Sequence, residues 1–203
     1  MTLDRPLEPR KRPRQVRATA TVSAVIEAAA HILEGQGLSA FNTNAVAAKA
    51  GVSIGSLYQY FPGKDAILAA LIRRESEAFD RALGQALDRA EGLGDVRAVA
   101  QLAHAAVNHQ TTRPRLARLL DLEEQRLGLG ADVETASSRT TDAIARFLAA
   151  RGLGGQGAAA DILGLSRGMI DAARDQGRSD DLARRLSWAI LGYLALSREP
   201  GTP

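Results

Sequence analysis

Residues 51–64 read GVSIGSLYQYFPGK. Tyr58, Tyr60 and Phe61 fall within four positions, in a chain with only 4 Phe, 3 Tyr and 1 Trp. A chain so poor in aromatics would ordinarily keep them in its core. Here they stand beside a glycine-bracketed turn and just ahead of a lysine. Gly51 breaks the preceding helix, Val52 plugs the turn, and Ser53 is placed to cap a helix that Pro62 ends near residue 60. Leu57 and Phe61, four apart, share the face of that helix that turns inward. Gly55 sits in its middle, at a cost of about 1 kcal/mol against Ala, which fits a backbone that another molecule approaches closely. Ser56, Tyr58, Gln59 and Tyr60 carry polar tips that donate to phosphates or base edges. Phe61 is therefore read as core, and the two tyrosines as contacts to DNA.

Working outward, the spacing predicts a short helix over 44–50, capped by Asn42 or Thr43, with Val46, Ala47 and Ala50 inward. Together with 53–60 it makes a helix-turn-helix. Before it, Val22, Val25, Ile26, Ala29, Ile32 and Leu33 mark one face of a first helix that Gly35 and Gly37 stop. After it, a long fourth helix runs from near Lys64 to about residue 90. At its start the free N–H groups and the dipole favour an anion, and Lys64 adds a point charge there. Five more helices are read at roughly 95–111, 114–127, 131–151, 158–176 and 179–196, with Pro114 as a first-turn residue. The expected fold is all-α with about nine helices: a disordered basic arm over 1–17, a three-helix DNA-binding domain over 18–64, and a larger helical domain over 65–203.

Charge supports that division. The net charge of the 203 residues is +3. Residues 1–64 hold eight Lys/Arg against four Asp/Glu, whereas 65–203 hold eighteen against nineteen. Arg10, Lys11, Arg12, Arg14 and Arg17 crowd one stretch, the footprint of an arm that follows a polyanion; a solvated tail is the alternative. With no cysteine, disulfides and thiolate metal sites are out, and a cytoplasmic location fits. No apolar run approaches the ~20 residues of a membrane span, and the charged, Pro-rich start is no secretory leader. There is no glycine-rich phosphate loop, HExxH or nucleophile elbow. His104 and His109 are too poorly placed to share a metal. Neither an enzyme nor a cofactor is expected.

The overlapping stretches TNAVAAKAG (43–51) and GVSIGSLYQYFPGK (51–64) resemble the DNA-binding domain of the TetR/AcrR transcriptional regulators, whose hallmark is GVS-x-G-[ST]-LY-x-[YH]F-x-x-K. The likeness spans about residues 18–72. It implies a phosphate contact at Thr43, base reading from Asn44, Ile54, Gly55 and Gln59, and a backbone grip by Ser56, Tyr58, Tyr60 and Lys64. Arg12, Arg14 and Arg17 of the arm would extend the footprint along the backbone or into a minor groove.

The resemblance also implies a homodimer on a near-palindromic operator, joined through the last two helices, and a repressor that leaves its operator when a small ligand binds. The residues offer a dimer face of their own. Ala160, Gly164, Gly168 and Ala172 recur every fourth position, and Leu182, Leu186, Ala189, Ile190, Tyr193 and Leu194 make an apolar face near Trp188. An intrachain core is the competing reading of both. Polar residues on apolar stripes, Gln110 and Glu123, together with Phe147 and Met169, are the candidate lining for an apolar or amphipathic ligand. A solvated or locally bonded side chain is the alternative for each polar one. The rival function is a nonspecific architectural DNA binder without a ligand.

Overall fold

The computed structural model describes residues 16–176 and 180–197, and for 16, 17, 130–137 and 175 only the backbone. The described residues form nine α-helices and no strand: α1 (Val16–Gln36), α2 (Thr43–Ala50), α3 (Ile54–Tyr60), α4 (Lys64–Ala90), α5 (Asp95–Thr112), α6 (Pro114–Leu127), α7 (Gly130–Ala150), α8 (Ala158–Asp175) and α9 (Leu182–Leu196). A short 3-10 turn, Leu38–Ala40, precedes α2. Arg12 and Arg14 of the expected arm lie outside the described residues, as does the side chain of Arg17.

The chain divides into two compact units, Met1–Ser76 with Arg113–Val133, and Glu77–Thr112 with Glu134–Pro203. Packing thus does not follow the break at 64/65 expected from sequence. That break marks the start of α4, and α6 packs with the N-terminal helices rather than with its sequence neighbours.

In the first unit, α1, α2, α3, the start of α4 and α6 share one core. Val25, Leu33, Val46, Leu57, Phe61, Ile67, Leu71 and Leu116 are all buried in it. Burial of each large side chain is worth roughly 1.5–3 kcal/mol, which outweighs the poor intrinsic stability of helices of seven and eight residues. Local chemistry sets their ends. Asn42 Oδ1 accepts from the Ala45 N–H at 2.9 Å, so Asn42 rather than Thr43 is the cap of α2. Gly51 closes that helix at φ +68, a left-handed conformation that favours glycine.

The first turn of α6 lacks a cap of its own, since Arg113 makes no side-chain capping bond. Glu34 of α1 supplies it, its Oε2 accepting from the Leu116 N–H at 2.5 Å. Glu27 of α1 adds two charge-assisted bonds, from Arg113 at 2.8 Å and Arg74 at 2.7 Å. In the second unit α5, α7, α8 and α9 enclose Val99, Val107, Ile144, Leu148, Ile162, Leu186, Ile190 and Leu194. Arg151 ties three carbonyl or carboxylate groups together there, donating to Ala90 O at 2.7 Å, Leu93 O at 2.8 Å and Asp95 Oδ1 at 3.1 Å.

Burial pushes the Glu27 carboxyl up, but the hydrogen bonds and charges of Arg113 and Arg74 outweigh it and hold the group below the ordinary carboxylate range. A depressed carboxylate stabilises the fold fully above its unfolded value of about 4.3, and that stabilisation is lost as pH falls through the folded value. Glu27→Gln should therefore melt below wild type at neutral pH, with the gap closing below about pH 4. Thermal melts across pH check this, and a gap that stays constant would place the loss in something other than the ion pairs.

Candidate nucleic-acid interface

Helix α3 has seven residues, and its two faces have opposite fates. Leu57 and Phe61 are 0% exposed in the core of the first unit. Ile54, Gly55, Tyr58 and Gln59, at positions i, i+1, i+4 and i+5, form the outward face. Ile54 is 38% exposed and Tyr58 42%, more than an apolar residue and an aromatic ring need concede when a core is available. Ser53 Oγ caps the helix, accepting from the Ser56 N–H at 3.0 Å, and its hydroxyl also bonds that of Ser56 at 2.8 Å.

The two helices of the motif are linked at their outer edge. Thr43 Oγ1 lies 3.2 Å from the Tyr58 hydroxyl, so the first residue of α2 and the middle of α3 carry one joint pair of hydroxyls. Asn44, Lys49 and Lys64 are exposed, while Thr43, Ser56 and Tyr60 are half-buried. The half-burial of Tyr60 comes from its ring packing against the core of the first unit. The fold thus brings Thr43, Ser56, Tyr58 and the outward residues of α3 onto one short motif.

Gly55 has no reason within the chain to lack a side chain. A Cβ there would meet only Ser53 Oγ, at 3.9 Å, which is ordinary contact. The glycine lowers the helix propensity of α3, and no neighbour within the chain requires it.

The candidate ligand residues are not brought together. Glu123 is 6% exposed and belongs to the first unit, where Arg126 bonds it at 2.7 Å. Its burial is explained by that ion pair, and its stripe on α6 faces the core of the first unit. Of the alternatives for Glu123, the locally bonded side chain is the one observed, since Arg126 lies three residues on. Gln110, Phe147 and Met169 are half-buried in the second unit, and the Arg151 guanidinium lies 4.6 Å over the Phe147 ring. His104 and Asn108 are exposed, and His109 packs against Phe79 with ring centroids 5.3 Å apart. Among the described residues no group of His, Asp or Glu is placed to hold a metal ion.

The candidate dimer residues split. Leu186 and Ile190 are buried in the core of the second unit and are not available to another chain. This corrects the expectation for them: the apolar face on which they lie is the one α9 turns to α5 and α8. Gly164, Gly168 and Ala172 are exposed on α8. Tyr193 is half-buried, its hydroxyl donating to Asp161 Oδ2 of α8 at 2.6 Å. The opposite face of α9 carries Trp188, 60% exposed, and Leu196, 66%. Trp188 has no helical-period partner among the buried residues, and its isolation from that stripe was the signal in the sequence for an outward position.

Residues 25–71 match the family model of the bacterial regulatory proteins, tetR family. Among solved structures, a TetR-family transcriptional regulator from Mesorhizobium loti superposes with a TM-score of 0.73 at 20% identity, over 90% of this chain and 98% of that one. A transcriptional regulator from Rhodococcus sp. gives 0.72 at 19%, over 89% and 99%. A fatty acid degradation regulator from Bacillus halodurans gives 0.67 at 16%, over 93% and 100%. At such identities the likeness is one of fold, and it runs through both units. No curated protein matches the chain closely enough to count as a relative.

Gly55→Ala separates folding from recognition. The added methyl has room and improves helix propensity by up to ~1 kcal/mol, so the variant should melt at or above the wild-type temperature while binding DNA more weakly. Thermal melts beside a DNA titration read both. A variant that loses stability and binding together would assign the glycine to the fold.

Proposed function

The N-terminal helices are those of the tetR family of bacterial regulatory proteins, and from that premise we propose that the chain is a sequence-specific transcriptional repressor. It acts in the cytoplasm as a homodimer on a near-palindromic operator and is released by a small ligand. The observation that carries the reading is the outward face of α3, with a glycine at its centre and Ile54, Tyr58 and Gln59 around it. In this reading α3 enters the major groove. Gln59 reads a base edge, Ile54 meets a thymine methyl, and Asn44 reaches a neighbouring base. Thr43, Ser56, Tyr58, Tyr60 and Lys64 bind the phosphates, with Arg12, Arg14 and Arg17 following the backbone.

One seven-residue helix makes few base contacts, so specificity needs two heads related by a dyad. The exposed Ala160, Gly164, Gly168 and Ala172 on α8 and the exposed Trp188, Gly192 and Leu196 on α9 supply a face for the second copy. Small residues let helices approach closely, and a largely exposed tryptophan is an anchor awaiting a pocket. The effector is an apolar or amphipathic molecule held in the second unit near Gln110, Phe147 and Met169. The resemblance in fold to a fatty acid degradation regulator supports that class. No described helix is long and apolar enough to cross a membrane.

Two experiments test these readings. Binding sites selected from random DNA should yield an inverted repeat with discrete footprint protection; uniform protection would instead make the chain an architectural binder. On that site, Lys64→Ala should weaken binding to all sequences and flatten the salt dependence, whereas Gln59→Ala should mainly relax preference at one position. For the dimer, Gly168 is exposed and a Cβ there meets nothing within 4 Å, so the side chain of Gly168→Arg has a path to solvent. It should give a folded monomer by sedimentation that no longer protects both half-sites. A wild-type monomer would leave the α8 and α9 faces without this role.

A further inference from the structure

A residue on α6 is coupled to the α4 end of the DNA-binding surface. Arg126 donates from Nη2 to Asp65 Oδ1 at 2.8 Å, a residue 61 positions away in the chain, and from Nε to Glu123 Oε2 at 2.7 Å. Asp65 directly follows Lys64, and both belong to the first turn of α4. The other end of α6 is fastened to α1 through Arg113–Glu27 and the Glu34 bond to Leu116 N–H. Arg126 is therefore presented by a helix already fixed at its far end, and Glu123 holds the guanidinium in place.

Two physical consequences follow for Lys64. The first turn of a helix has no intrahelical acceptors for its N–H groups and frays readily, and an anchor on Asp65 restrains that turn. A bare carboxylate at Asp65 would also oppose a phosphate at the position Lys64 serves, and Arg126, shared with Glu123, offsets part of that charge. Lys64 itself is exposed, so its place rests on the backbone that carries it.

We infer that Arg126 is a positioning residue of the DNA interface: it holds the α4 start and offsets the charge of Asp65 so that Lys64 can engage a phosphate. This rests on the reading of Lys64 as a backbone contact. The test uses the full chain and its selected operator, with Arg126→Met, Lys64→Ala and the double variant. Arg126→Met should weaken binding about tenfold and lower the logarithmic salt slope by about 0.9 for each head. In the Lys64→Ala background the same change should alter affinity less than twofold.

An equal factor in both backgrounds, or none in wild type, overturns the inference while leaving the operator-binding reading standing. Lys64→Ala binding as wild type does overturns both this inference and the clamp, and a wild-type chain with no discrete site removes the functional reading itself. Asp65→Asn serves as the second variant should Arg126→Met not fold. It reduces the anchor to a neutral amide acceptor and leaves no negative charge at position 65, so it should lose less affinity than Arg126→Met, and an equal loss would overturn the charge-offsetting role.

Discussion

Leu57 and Phe61 are the contact on which the head depends. A helix of seven residues has no independent stability in water, so α3 exists because these two side chains are buried in the core of the first unit. That burial uses up one face and fixes the orientation of the opposite one. Ile54, Gly55, Tyr58 and Gln59 are outward because Leu57 and Phe61 are inward. The outward surface of α3 follows from a packing constraint, and its rigidity is borrowed from the core behind it.

The second consequence of packing is that α6 belongs with the head. Its apolar residues Leu116 and Leu120 enter the same core as Phe61, and its charges meet those of α1 and α4 at both ends. Neither set of ion pairs adds much by itself, because the participating arginines are partly solvated. Their value lies in direction. Arg113 and Arg126 fix the axial position of α6 relative to α1 and α4, which apolar contacts alone would leave free to slide. Glu123 completes this arrangement as a buried carboxylate that would be costly without its arginine.

How much was readable in advance varied with the range of the interaction. Helix limits agree with expectation to within a few residues, from Thr43–Ala50 to Leu182–Leu196, because caps, glycines and prolines act within one turn. The inward pair on α3 was readable for the same reason. Glu123 was misplaced because a polar residue on an apolar stripe looks the same whether a ligand or an arginine one helical turn on satisfies it. Leu186 and Ile190 were misplaced because an apolar face does not say whether its cover is the same chain or another.

By itself the sequence determined the nine-helix order, the capped helix-turn-helix and the split of α3 into a core side and an outward side. Those features come from periodicity and turn chemistry, which are local. Only the tertiary structure decided that α6 joins the N-terminal helices, that Arg126 reaches Asp65, 61 positions away, and that Leu186 and Ile190 are covered within the same chain. Each of those is a choice among chemically equivalent partners far apart in the chain. Such choices are made by which faces fit when the helices pack.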